Sequence, residues 1–180
     1  AIENYIFLNP QNEFRSTIRG TFPVFKYAQT RARIFGWDFT STFLFSDSFN
    51  ASFRASFLKG TDIENNSPLI YLPSNNLLLT FNYQIPKIGN WDQIDLELSN
   101  KYVFEQKNIL LNQDFVNPPE GYHLMGIKIS GERQLDRNRL NMFLRIDNLF
   151  NVSYRDYLNR QRYFADDLGI NVIVGLSLNF

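Results

Sequence analysis

The chain has 180 residues, 44% of them hydrophobic and 20% charged, enough for one domain with a sizeable apolar surface to cover. Its 18 basic and 18 acidic side chains balance, which argues against a general binder of nucleic acid or of anionic surfaces. The absence of cysteine rules out disulfides and thiolate chemistry and suits a periplasmic route. No run approaches 18 apolar residues, so no transmembrane helix is expected. A mean hydropathy of -0.28 would ordinarily suggest a soluble protein, but a barrel wall escapes such averages because every second residue is polar.

Strict alternation runs through the chain. An opening strand is expected near residues 4–8. Next, Phe35, Trp37, Phe39, Phe43 and Phe45 make an aromatic face against Gly36, Asp38, Thr40 and Thr42. Phe53, Ala55 and Phe57 oppose Ser52, Arg54 and Ser56. Leu77, Leu79, Phe81, Tyr83 and Ile85 oppose Leu78, Thr80, Asn82 and Gln84, and Ile94, Leu96 and Leu98 oppose Asp95, Glu97 and Ser99. Met125, Ile127 and Ile129 face away from Gly126, Lys128 and Ser130. Leu140, Met142, Leu144 and Ile146 oppose Arg139, Asn141, Phe143, Arg145 and Asp147. The chain closes on Ile170, Val172, Val174, Leu176, Leu178 and Phe180, opposed by Asn171, Ile173, Gly175, Ser177 and Asn179. Period-two alternation puts one kind of residue on each face of a strand, and about 9–11 such residues, tilted, cross a bilayer.

Eight strands are therefore expected, and their connections sort into two kinds. Residues 47–50, 87–90 and 135–138 read as tight turns. The stretches near 9–22, 61–75, 107–121 and 151–168 read as long polar or mixed loops. Short and long alternate, as expected of a barrel with hairpin turns at its periplasmic rim and loops outside. An even strand count places Phe180 on the short-turn side. Because the first residue is Ala1 rather than Met, a processed product or an excised piece is expected.

Two segments carry a family resemblance. Residues 22–38 read Phe-Pro-Val-Phe-Lys-Tyr-Ala-Gln-Thr-Arg-Ala-Arg-Ile-Phe-Gly-Trp-Asp, and residues 147–158 read Asp-Asn-Leu-Phe-Asn-Val-Ser-Tyr-Arg-Asp-Tyr-Leu. With the terminal Phe180, these resemble the C-terminal barrel of TonB-dependent outer-membrane receptors. The resemblance implies that residues 1–180 are the last eight or so strands of a wall of about 22 strands. The plug domain, the TonB-contacting segment and the remaining strands would lie outside it. It also implies energy supplied through TonB, assembly by the barrel-assembly machinery with Phe180 as the signal, and localisation in the cell outer membrane.

Candidate chemistry is sparse. His123 is the only histidine, so neither a metal site nor a Ser-His-Asp arrangement is expected, and no phosphate loop or dinucleotide fingerprint occurs. Asp166 and Asp167 beside Gly169 read as a turn. Arg145 and Asp147, two apart on one face, read as an internal charge pair. The richest stretch is 154–168, where Arg155, Arg160 and Arg162 interleave with Tyr157, Tyr163 and Phe164. Guanidinium groups grip carboxylates and other anions bidentately, and tyrosines add flat contact area, so Arg155, Tyr157, Arg160, Arg162 and Tyr163 are the ligand-binding candidates. The competing reading staples the loop to its neighbours with the same Arg and Asp residues.

The expectation is an all-β, antiparallel, up-and-down transmembrane β-barrel segment. It would belong to an active-transport receptor for a scarce nutrient, an iron chelate of siderophore type being the commonest cargo in the family resembled. No enzymatic role, cofactor or nucleic-acid partner is expected; the partners are outer-membrane lipid, the rest of the receptor, TonB, the assembly machinery and a small-molecule ligand. The alternative is a complete eight-stranded outer-membrane barrel with a structural or adhesive role, its interior filled by Arg54, Asp95, Glu97, Lys128, Arg145 and Asp147. A soluble ligand-binding barrel would need the apolar face turned inward.

Overall fold

A computed structural model describes residues 1–110 and 112–180. The chain is a single antiparallel sheet of nine strands: β1 (Ile2–Thr17), β2 (Gly20–Ser46), β3 (Phe49–Asp62), β4 (Ser67–Pro68), β5 (Asn76–Ile85), β6 (Gln93–Val103), β7 (Tyr122–Leu135), β8 (Asn138–Asp147) and β9 (Asn171–Asn179). Eight follow one another as neighbours, and the two-residue β4 pairs with the upper end of β3. Among the described residues β1 and β9 are not paired with each other, so the sheet is open.

The register carries the alternation across every seam of the wall. Trp37 lies opposite Phe57, Ala55 opposite Leu77 and Phe81 opposite Leu98. Leu96 meets Ile129, Ile127 meets Ile146 and Leu144 meets Val174. Opposed residues share a face, so the apolar sets of successive strands fuse into one surface. That surface is not a buried core: Val172, Val174 and Leu176 are 57%, 71% and 67% exposed. A face this apolar and this bare fits lipid rather than water.

Aromatic rings border it at two levels. Near the short turns, Phe49 stacks with Phe45 at 5.1 Å and meets Tyr83 at 6.4 Å, while Trp91 lies against Gly131, where a Cβ would sit 2.9 Å from the indole. Near the long loops, Trp37 stacks on Phe57 at 4.6 Å, and Tyr102 meets Phe104 edge-on at 4.8 Å. Ile94 and Tyr102, eight residues apart on β6, mark the two levels. At about 3.4 Å per residue and a tilt near 40° they stand roughly 20 Å apart along the barrel axis, close to the apolar band of an outer-membrane wall.

The opposite face is polar. Glu97 stands across from Lys128, and Lys128 from Arg145. Arg145 pairs with Asp147 at 2.9 Å, the internal charge pair expected from their spacing. Phe143, also on this face, covers its partner Gly175, where a Cβ would run into the ring.

The loop expected at 9–22 is instead a hairpin. β1 and β2 continue upward as paired strands and turn tightly at Ile18 and Arg19 before Gly20, whose φ of 130° suits glycine. The 27 residues of β2, at about 3.3 Å each, reach roughly 90 Å, far more than a bilayer needs. Its upper half carries no lipid-facing stripe, so the period-two signal fades while backbone pairing persists. β3 likewise runs to Asp62, into the stretch expected to be loop from residue 61.

Candidate functional site

Three long connections, 69–75, 104–121 and 148–170, meet at the outer end of the wall. Their meeting point is Asp114. Its carboxylate accepts hydrogen bonds from the Tyr71 hydroxyl at 2.9 Å and the Tyr163 hydroxyl at 2.7 Å, and forms an ion pair with Arg162. The side chains of Arg162 and Asp114 are 2% and 4% exposed. The Arg162 guanidinium also donates to the Asn117 carbonyl at 3.3 Å and lies over the rings of Tyr157 and Tyr163 at 5.0 and 4.9 Å. A charge this deeply buried is tolerable only with a partner, and here it has a carboxylate, a carbonyl and two ring faces.

Aromatic packing extends the junction to the hairpin. Phe25 of β2 meets Phe115 at 5.3 Å and Tyr163 at 6.1 Å, and Phe14 of β1 meets Phe115 at 5.0 Å. Burial pushes the Tyr163 hydroxyl up to about 12. Burial likewise raises Tyr71, with the hydrogen bond to Tyr163 and the Asp114 charge acting the same way. Both phenols therefore keep their protons and donate to Asp114 at physiological pH.

The five loop residues singled out from sequence fall into two groups. Tyr157, Arg162 and Tyr163 lie in the junction: Tyr157 is 3% exposed and its hydroxyl accepts from the Tyr71 amide at 3.4 Å. Arg155 and Arg160 are exposed. Arg155 donates to Asp166 at 2.6 Å and to the Arg162 carbonyl at 2.8 Å, whereas Arg160 rests over the Phe25 ring at 5.7 Å. Asp166 and Asp167 brace the same loop. Asp166, held below its ordinary carboxylate value by hydrogen bonds from Ser153 and Arg155, fastens one side. Asp167 accepts from the Asp156 amide at 2.7 Å and from the Asn159 side chain at 2.7 Å.

Asp114 escapes sequence reading. Its only signal is position, as the sole acidic residue between Glu105 and Glu120, next to Phe115 and Val116.

The Asn-Leu-Phe-Asn segment has a structural reason. Asn148 and Asn151 both adopt left-handed backbone, at φ 52° and 51°, a conformation asparagine tolerates better than most residues. The buried Asn148 side chain accepts from the Val152 amide at 2.8 Å and donates to the carbonyls of Val152 and Leu168. The Asn151 side chain accepts from the Ile170 amide at 3.0 Å. The two asparagines thus tie the base of the 148–170 loop between the end of β8 and the start of β9.

Below this loop, on the polar face, lies a cavity of about 350 Å³ bordered by Lys101, Arg145, Asp147, Asn148, Tyr154 and Asn171. The single histidine is elsewhere: His123 Nε2 lies 3.2 Å from Asn100 Oδ1 on the outward face. Phe180, at the end of the wall, is 95% exposed.

No protein-family profile and no curated protein matches the chain. Among solved structures it is similar to the copper transporter OprC, with a TM-score of 0.71 and 15% identity over 99% of this chain. The chain spans 27% of that protein's length. Likeness at this identity speaks for the fold, and with the register above it makes the chain a segment of an antiparallel, up-and-down transmembrane β-barrel.

Proposed function

We propose that the chain forms the last strands and outer loops of a TonB-dependent outer-membrane receptor that imports a scarce nutrient, with an anionic iron chelate as the leading cargo. The observation that carries this reading is the match of nearly the whole chain to about a quarter of a transporter barrel. The open sheet supports it: a complete eight-strand barrel requires β9 to pair with β1, and among the described strands it does not.

In this reading the wall supplies rigidity and the outer loops supply contact. The Asp114 junction holds three loops in one arrangement, while the exposed Arg160 is open to an anion arriving from outside and Arg155, braced by Asp166 and the Arg162 carbonyl, offers it only the remaining edge of its guanidinium. Beneath them, Lys101 and Arg145 give the inner cavity two cations against the single carboxylate of Asp147. Arg162, Tyr157 and Tyr163 then position the loop rather than grip the cargo. The plug, TonB and the assembly machinery, which would read Phe180, act on the complete receptor.

The test is uptake of labelled ferric chelates by cells that express the full-length receptor, beside the same cells with Arg155→Ala and Arg160→Ala. Saturable uptake that needs TonB and weakens about a hundred-fold or more on losing both arginines is expected, because charge-assisted contacts contribute about 1.5–3 kcal/mol each and about 1.4 kcal/mol is a decade. Uptake of free copper ions but no chelate would overturn the iron assignment. Loss of all TonB dependence would overturn the receptor assignment.

A further inference from the structure

Just above the outer aromatic belt, the outward face turns basic. On β2 the order downward is Arg31, Arg33, Phe35 and Trp37, with Thr30 before them and Ala32 among them buried on the other side. The ladder sets Phe35 opposite Lys59 and Trp37 opposite Phe57, so Lys59 stands beside Arg33 on the same outward face. All three cations are exposed, and among the described residues none forms an ion pair. Five other cations do form ion pairs: Lys107 with Glu105, Arg139 with Glu132, Arg145 with Asp147, Arg155 with Asp166 and Arg162 with Asp114.

Beside this patch the wall is notched. β5 begins at Asn76 while its neighbour β3 continues to Asp62, so the strand between β3 and β6 is missing at this height. Segment 104–108 partly fills the gap, fixed by the Gln106 side chain on the Leu72 and Pro73 carbonyls and by the Asn108 side chain on the Gly60 carbonyl. A cavity of about 610 Å³ remains, lined by Phe57, Tyr102 and Phe104 below and above by Lys59 and by Lys107, the latter paired with Glu105 at 3.7 Å. Apolar ring faces thus sit at the level of lipid chains, and cations at the level of headgroups.

We propose that Arg31, Arg33 and Lys59, with the adjoining notch, bind the phosphate groups of an anionic lipid of the outer leaflet. The proposal rests on the reading that this face lies in the outer membrane with the long loops outside. Charge complementarity favours such an occupant: three unpaired cations stand at headgroup height, next to a recess wide enough for a sugar or phosphate, above rings that pack on acyl chains.

The test uses the full-length protein in vesicles of phosphatidylcholine alone and of phosphatidylcholine with phosphorylated lipid A. Bound lipid is counted by native mass spectrometry after detergent release. The wild type should retain lipid A, and Arg31→Gln, Arg33→Gln and Lys59→Gln should each weaken retention about five-fold, the triple variant about a hundred-fold. Lys87→Gln, at a periplasmic turn, should leave it unchanged. Equal retention by the triple variant and the wild type overturns the proposal. So does binding of free inorganic phosphate that matches lipid A in strength, because the lipid would then be irrelevant. Failure of the protein to insert into either vesicle sinks the membrane reading and the lipid site with it, whereas insertion without lipid A preference sinks the lipid site alone.

Discussion

Replacing Asp114 by alanine should release the outer loops without disturbing the wall. In the wild-type junction the Arg162 guanidinium is almost wholly buried, and its charge is met by Asp114. Removing the carboxylate leaves that cation with the Asn117 carbonyl and two ring faces, and leaves the Tyr71 and Tyr163 hydroxyls without their acceptor. Breaking one side of a buried ion pair costs about 3–5 kcal/mol. At about 1.4 kcal/mol per decade, local opening should increase roughly a hundred- to several-thousand-fold, or reach complete opening if the junction is less stable than that. Hydrogen–deuterium exchange on the full-length protein in a membrane mimetic reads this directly. Amides at Arg162 and Phe164 should lose protection, while those of β6 to β8 should stay protected, since the ladder does not depend on the loops. Pairing Asp114→Leu with Arg162→Met should restore much of the loss, because the uncompensated charge is gone. Exchange at Arg162 and Phe164 within about five-fold of wild type in the alanine variant would refute the buried-pair reasoning.

Spin labels at Leu79, Leu144 and Val174 should be accessible to oxygen in bilayers, and labels at Asn82, Arg145 and Asn171 to polar relaxants; the reverse pattern would mean an apolar interior and a soluble barrel. Deleting Phe180 should slow assembly of the full-length protein more than Val174→Ala does, since the latter removes only about 1–2 kcal/mol of lipid-facing surface; equal kinetics would reduce Phe180 to ordinary wall. Raising the pH should loosen the loop junction. Tyr71 and Tyr163 are held above the ordinary phenol value of 10.0, so their stabilising effect is complete below about pH 10 and is lost as the pH climbs, for Tyr163 through about 12. Tyrosinate absorbance that titrates wholly at 10 would contradict their burial. Refolded alone, residues 1–180 should aggregate or fail to insert, because unpaired strand edges in lipid cost several kcal/mol per orphan backbone group. A monodisperse, protease-resistant monomer with all its strands paired would restore the small-barrel alternative.

The wall was legible because lipid imposes a rule residue by residue. A strand between bilayer and polar interior must alternate, and each of the eight main strands carries that period somewhere along its length. The upper hairpin was not legible. Above the membrane neither face of β1 or β2 meets hydrocarbon, so residues 9–22 read as loop although their backbones pair. The candidate site was half legible. Arginines and tyrosines of 154–168 announced a site by composition, but composition does not distinguish a guanidinium offered to a ligand from one buried against a carboxylate 48 positions away.

What the sequence determined by itself is the set of local choices: which side of each strand meets lipid, and where the tight turns at 47–50, 87–90 and 135–138 fall. Those follow from side-chain hydrophobicity and backbone sterics within a few residues. The tertiary structure decided what depends on distant partners. It buried Arg162 against Asp114, brought Tyr71 and Phe25 to the same point, left Arg155 and Arg160 outside, and aligned Arg31, Arg33 and Lys59 above an aromatic belt. Burial and pairing are properties of neighbours in space, and in an antiparallel wall those neighbours are fixed by register rather than by proximity along the chain.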